Sequence, residues 1–237
     1  MNLKGKNAII TGGGRGLGKA VAIALANEGA NIGITGRNEE NLKNTVEEIK
    51  KLGVTAAYSV FSIDDEKAVK TGIDSLVKDL NGVDILVNNA GIGNFGTLEQ
   101  MPSETWEQVM KTNLFGVYYA AQAVHPYMKE KGEGDIVNVA STAGLKGGAN
   151  MSAYAASKAA VVSLSQSMMA EWRKENIRVI TLTPSTIASD MSIQGGLTDG
   201  NPEKVLQPED FAEWVRDILK MNRRALIANG SIFSTNP

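Results

Sequence analysis

The sequence predicts an α/β fold in which one doubly wound parallel sheet carries helices on both faces. Two observations point to it. Seven short β-rich runs recur along the 237 residues, several of them almost continuously apolar, as befits strands buried on both faces. Between them lie amphipathic stretches such as LKNTVEEIKKLG and EKAVKTGIDSLVKDL, which suit right-handed crossover helices.

The elements follow in order. NAIIT at 7–11 is the first strand, and the turn TGGGRGLG leads from it into a helical run; NIGIT at 31–35 is the second strand. TAAYSVF at 55–61, DILVNNA at 84–90 and DIVNVAS at 135–141 are the next three. Ser103 is a candidate N-cap for a long helix running toward Lys131, and Ser152 for another running toward Glu175. IRVITLTP at 177–184 and RALIANG at 224–230 complete the set of strands. The stretch 185–207 lacks sustained periodicity and carries Gly195, Gly196, Gly200 and Pro202, which predicts a mobile substrate loop.

Bulk composition narrows the function. With 43% hydrophobic and 21% charged residues, the chain is expected to form one domain over 1–237. No window approaches the ~18 consecutive apolar residues of a membrane span, and the first apolar run is too short for a signal peptide, so a cytoplasmic protein without a membrane partner is expected. A formal net charge of −2 argues against a nucleic-acid surface. The absence of cysteine excludes disulfides, thiolate nucleophiles and thiolate metal sites, and no metal is expected. The single histidine, His125, falls near a helix end and reads as a capped or surface residue, while Met168, Met169 and Trp172 at helical spacing read as packing.

Gly12, Gly16 and Gly18 lie between the first strand and the first helix, where missing side chains let the backbone approach a diphosphate at a helix N-terminus. The spacing is T-G-x-x-x-G-x-G and not G-x-G-x-x-G. The second strand ends in Thr35-Gly36-Arg37, with an arginine where NAD-preferring sites of this architecture hold an acid. Arg37, with Arg15 in the glycine turn, therefore predicts a 2′-phosphate and hence NADPH/NADP as cofactor.

Tyr154 and Lys158 are four apart in a segment of helix formers, so both project from one helical face. The ammonium and a nearby oxidised nicotinamide are both expected to lower the tyrosine pKa and make Tyr154 a proton donor. Ser141 follows a strand at the sheet edge where ligands bind, and Asn89, Ala90 and Gly91 follow another. Asn113 sits inside a long helix, where asparagine is a poor helix former and invites a functional explanation: its side chain, or a locally opened carbonyl, would hold a water.

Taken in order, T-G-x-x-x-G-x-G, N-N-A-G, Asn113, Ser141 and Y-x-x-x-K resemble the short-chain dehydrogenase/reductase family over nearly the whole chain, and the overall pattern is most similar to its 3-oxoacyl-acyl-carrier-protein reductases. The resemblance implies a Rossmann-type sheet of about seven strands and a catalytic tetrad of Asn113, Ser141, Tyr154 and Lys158. In it the serine hydroxyl bonds the substrate carbonyl, tyrosine is the general acid, lysine holds the nicotinamide ribose, and asparagine keeps a relay water. It further implies cofactor contacts from Leu17 in the glycine turn and from Pro184, Ile187 and Ser189 in PSTIASDM, where Ser185 and Ser189 replace the family's glycine and threonine. The aspartate that the family sets against adenine falls on Ser62, with Asp64 offset, and SIFSTNP lacks the family's glycine-rich finish. The implied reaction is NADPH-dependent reduction of a carbonyl, with a 3-oxoacyl thioester on acyl carrier protein as first substrate and a free ketone, sugar or alcohol as second. The arginines that grip the carrier fall on Gly132 and Glu175, with Lys129, Lys131, Arg173 and Lys174 nearby. A homotetramer built through the two long helices is also implied. A different class, a dinucleotide-sensing protein without catalysis, calls for a damaged tetrad, whereas all four residues are present.

Overall fold

Seven parallel strands form one sheet in the computed structural model, which describes residues 2–235. Met1, Asn236 and Pro237, which the expected 1–237 domain and its SIFSTNP ending include, lie outside the described residues. The strands are β1 (Asn7–Thr11), β2 (Asn31–Gly36), β3 (Ala56–Val60), β4 (Ile85–Asn88), β5 (Gly134–Val139), β6 (Ile177–Pro184) and β7 (Asn229–Ile232). Their order is β3-β2-β1-β4-β5-β6-β7, and every neighbouring pair is parallel. The chain winds outward from β1 to β3, returns to β4, and then winds outward the other way. A crevice therefore opens at the carboxyl ends of β1 and β4, where helices depart to opposite faces.

The helices are α1 (Gly16–Asn27), α2 (Glu39–Lys50), α3 (Glu66–Leu80), α4 (Ser103–Met110), α5 (Gly116–Lys131), α6 (Ser152–Trp172), the short α7 (Asp190–Gln194) and α8 (Pro208–Lys220). Strand residues alternate between two cores. Ile10, Val137 and Ile180 face Leu25 of α1, Leu42 of α2 and Phe211 of α8, while Ile9, Ile136 and Val179 face Ile73 of α3, Val124 of α5 and Met168 of α6. Burial on both faces is the reason these strands read as apolar runs rather than alternating ones.

Two local expectations are corrected. The last strand is Asn229–Ile232 rather than 224–230. Arg223 is drawn onto Asp135 at 3.0 Å, and Arg178 donates to the carbonyls of Met221 and Ala225, so the preceding residues are anchored as a turn. The chain reaches the sheet only at Ala228, whose carbonyl accepts from the Thr181 N–H. Ser103 and Ser152 are first helical residues rather than N-caps; Pro102 and Met151 hold the cap positions without side-chain cap bonds. Pro102 already has the fixed φ that starts a helix, −60°, and the Ser152 hydroxyl is buried without a partner. The stretch 185–207 contains α7 and a parallel bridge from Ile187 to Leu206.

Candidate active site

The glycine turn is fastened to the end of β4 by the side chains of Thr11 and Asn89. Thr11 Oγ1 accepts the N–H groups of Asn89 and Ala90, each at 3.0 Å, and the Asn89 amide donates to the carbonyls of Thr11 at 3.0 Å and Gly12 at 3.4 Å. A β-carbon on Gly18 would lie 2.4 Å from the Gly12 carbonyl oxygen and 2.5 Å from Asn89 Nδ2, so this glycine permits the close approach of helix to turn. Gly16 has φ +50°, and a β-carbon there would meet nothing within 4 Å because the residue borders open space. No side chain caps α1 at this point, so its first N–H groups remain available to an anion. This cradle fits a diphosphate.

Arg37 stands exposed at the same end of the crevice and makes no hydrogen bond or ion pair among the described residues. Asp64 is held below the usual carboxylate range by hydrogen bonds from Ser62 and Gln108, with Arg37 adding a smaller attraction. Arg15 is engaged elsewhere: its guanidinium donates to Asp190 at 2.8 Å, and both side chains are largely exposed. The pair links the glycine turn to α7.

Asn113 lies in a single turn of π-helix, Lys111–Phe115, between α4 and α5. Its side chain is wholly buried and clamps one residue after the N-N-A-G turn. Oδ1 accepts the Ile92 N–H at 2.8 Å, and Nδ2 donates to the Ile92 carbonyl at 2.9 Å and to Ser157 Oγ at 3.0 Å. Both amide donors are thereby used. The π-helical turn that carries it is a distortion of the kind that recurs at functional sites.

Tyr154 and Lys158 share one face of α6, as their spacing requires. The Lys158 ammonium lies 5.7 Å from the centroid of the Tyr154 ring and donates to the Val139 carbonyl at 2.8 Å. Burial lowers its pKa to about 8. The Tyr154 phenol is raised above its usual value, chiefly by burial and against a hydrogen bond with Ser141. For the phenol without a coenzyme beside it, burial outweighs the hydrogen bond with Ser141. Ser141 Oγ also accepts the Ala143 N–H at 3.2 Å, which fixes the hydroxyl at the end of β5.

The far wall is built around Ser192. Its hydroxyl donates to the Ile187 carbonyl at 2.6 Å, and Ser189 and Ser192 form a capping box at the start of α7. Ser189 Oγ accepts the Ser192 N–H at 3.2 Å, so the hydroxyl expected to face the cofactor also caps a helix.

One cleft of about 1260 Å³ gathers these groups. Gly12, Arg15, Gly16, Leu17, Gly18 and Arg37 line its outer end, Asn89, Ala90 and Gly91 its floor, Ser141, Tyr154 and Lys158 its inner end, and Pro184, Ile187 and Ser189 its far wall. Asn113 stands behind this surface and reaches it through Ile92. Phe95, Met151 and Asp190 also line the cleft and carry no periodicity or motif by which sequence could have found them. Thr11 was visible as the first letter of T-G-x-x-x-G-x-G, without an assigned role. His125 lies outside, stacked on Trp172 at 4.4 Å and bonded to Glu175 at 2.7 Å.

The model of the short chain dehydrogenase family matches residues 6–198. The chain is 36% identical over 204 residues to a 3-oxoacyl-[acyl-carrier-protein] reductase of Thermotoga maritima, which covers 86% of this chain and 80% of the relative. It is 32% identical over 214 residues to a gluconate 5-dehydrogenase of Gluconobacter oxydans, covering 90% and 80% respectively. Among solved structures, an NAD+-bound xylitol dehydrogenase superposes with a TM-score of 0.90 at 27% identity, over 99% of this chain and 100% of that one.

Proposed function

Since the chain belongs to the short-chain dehydrogenase family, we propose that this oxidoreductase uses NADPH to reduce a carbonyl to a secondary alcohol. The observation that carries the reading is the convergence of Ser141, Tyr154 and Lys158 at the inner end of a cleft whose outer end is an uncapped helix terminus with a free arginine. The glycine turn and the start of α1 would hold the diphosphate, Arg37 the 2′-phosphate, Lys158 the ribose, and Ile187 and Ser189 the carboxamide. Once bound, the nicotinamide supplies hydride to the carbonyl carbon.

The chain's own groups deal with the charge that grows on the carbonyl oxygen. Burial keeps the Tyr154 phenol protonated at neutral pH, so it enters the reaction as an acid able to donate to that oxygen. Ser141 sits in reach of the same phenol and supplies a second donor. Lys158 stabilises the phenolate left behind, and the Asn113 carbonyl holds a water through which the phenol regains its proton. The intact set favours an enzyme over a dinucleotide sensor that has lost catalysis.

A 3-oxoacyl thioester is the leading substrate, supported by the likeness to 3-oxoacyl-[acyl-carrier-protein] reductases over most of the chain. A free ketone or sugar is the second reading, and the likeness to gluconate 5-dehydrogenase favours it. Of the cations that would grip an acidic carrier, Lys129 is paired with Glu175 at 2.6 Å and Lys131 with Asp84, while Arg173 and Lys174 stand exposed, and Gly132 is a left-handed helix cap at φ +74°. Exposed Phe115 and Tyr118 beside the long helices suit a subunit contact in a tetramer. Among the described residues no helix is long and apolar enough to cross a membrane, and we place the reaction in the cytoplasm with its soluble coenzyme. We also read 185–207, with α7 at its centre, as a loop that moves over the substrate. The test is coenzyme consumption across acyl thioesters and free ketones with NADPH and NADH. Tyr154→Phe should lower turnover by roughly 10²–10⁴-fold and leave coenzyme binding nearly unchanged. Wild-type consumption with none of these carbonyls, or equal turnover in the variant, would sink the reading.

A further inference from the structure

The Phe95 ring packs against Tyr154, with centroids 5.7 Å apart and planes inclined by 59°. It fills the space that side chains would otherwise take on two neighbouring segments. A β-carbon on Gly93 would lie 2.8 Å from the ring, and one on Gly195, just after α7, would lie 2.6 Å from it. The ring is thus wedged between the loop after β4 and the segment after α7, directly beside the proton donor.

Phe95 lines two cavities. One is the catalytic cleft; the other, of about 340 Å³, is bounded on its remaining sides by Asn94, Gly96, Gln100, Met101, Pro102 and Thr105. No charged side chain borders this second space. Gly96, next to the ring in the chain, pairs with Met151 in a parallel bridge and its N–H donates to the Asn150 carbonyl at 2.8 Å, so beside Tyr154 the space is closed by the ring and by the segment that leads into α6.

We infer that Phe95 is the specificity-determining residue of this site: it restricts the substrate to carbonyls with one small, unbranched substituent, which must lie against the ring beside Tyr154. The inference rests on the carbonyl-reductase reading and adds the shape of the substrate to it. Shortening the side chain joins the two cavities and removes the restriction.

The test compares 2-ketones, whose small side is methyl, with isomers that carry propyl on that side, in the wild type, Phe95→Ala and Phe95→Leu. One misplaced methylene in a closed apolar pocket changes kcat/KM by roughly tenfold or more. The wild type should therefore favour the methyl ketone by at least about tenfold. The ratio should fall by roughly tenfold in Phe95→Ala and by less in Phe95→Leu, which keeps most of the packing and covers the case in which the alanine variant does not fold. A ratio of ratios cancels any general loss caused by a less well supported Tyr154. If the variants turn over the methyl ketone with the wild-type ratio, the inference fails while the carbonyl-reductase reading stands. If the wild type reduces no carbonyl at all, that reading fails and this inference goes with it.

Discussion

Lys158 holds its ammonium 5.7 Å from the ring centroid of Tyr154, buried, with the Val139 carbonyl as its hydrogen-bond acceptor. No carboxylate pairs with it among the described residues, which is why desolvation alone sets its pKa. A buried cation without a counter-charge weakens the fold that contains it.

That weakening is measurable. The folded-state pKa of about 8 lies below the ordinary lysine value of 10.5, so between these values the unfolded chain keeps a proton that the folded chain has released, and stability rises with pH. Below about 8 the full penalty applies. Lys158→Met should be inactive yet more stable than wild type at pH 7, by about 1–3 kcal/mol in urea unfolding. The advantage should shrink as pH climbs through this window, and a gap that stays constant or widens with pH would contradict the assignment.

Asn113 makes three hydrogen bonds from one wholly buried amide, two of them to the Ile92 backbone. Asn113→Ala leaves those groups unpaired and should destabilise the protein by about 2–4 kcal/mol, with lowered kcat, since each stranded buried group costs about 1–3 kcal/mol. Chemical denaturation against wild type gives the first number. A loss below about 0.5 kcal/mol, the range of ordinary surface changes, would mean the clamp is not formed in solution.

Gly18 leaves no room for a methyl group, whereas Gly16 faces open space but has φ +50°. Gly18→Ala should displace the turn and weaken coenzyme binding by at least about tenfold, together with a stability loss of about 1–3 kcal/mol for overpacking. Gly16→Ala should cost about 1–2 kcal/mol for its backbone alone. Titration of coenzyme fluorescence separates the two, and equal affinities in both variants would argue against the close approach of helix to turn.

Arg37 is free to meet a 2′-phosphate, while Arg15 must first leave Asp190. Removing Arg37 as Arg37→Leu should lower kcat/KM for NADPH by roughly 10-fold to 100-fold, the value of one charge-assisted contact of about 1.5–3 kcal/mol, and leave NADH nearly unaffected. Arg15→Leu should have a smaller effect on the same ratio. A wild type that prefers NADH would remove the premise of both.

The architecture was legible because it rests on short-range patterns. Apolar runs of strand length and amphipathic stretches between them leave a parallel doubly wound sheet as the economical solution, and six of the seven strands fall where those runs lie. The seventh moved because Arg223 and Arg178 are captured by groups far away in the chain, which no local pattern records. The site divides in the same way. Glycines, an asparagine inside a helix and a tyrosine four residues before a lysine are local violations or local spacings, and a sequence displays them.

What the sequence by itself determined was the inventory and the order: a glycine turn after the first strand, an arginine after the second, and a serine, a tyrosine and a lysine at strand and helix positions that share one edge of a sheet. What tertiary structure alone decided was how water and partners are distributed among them. It bonded Arg15 to Asp190, turned the Asn113 amide onto the Ile92 backbone, made Ser189 a helix cap, placed Phe95 against Tyr154, and buried the phenol so that its pKa rises. The physical reason is that burial and contact depend on which distant segments meet, and these decide both the desolvation of an ionisable group and the partner its hydrogen bonds find.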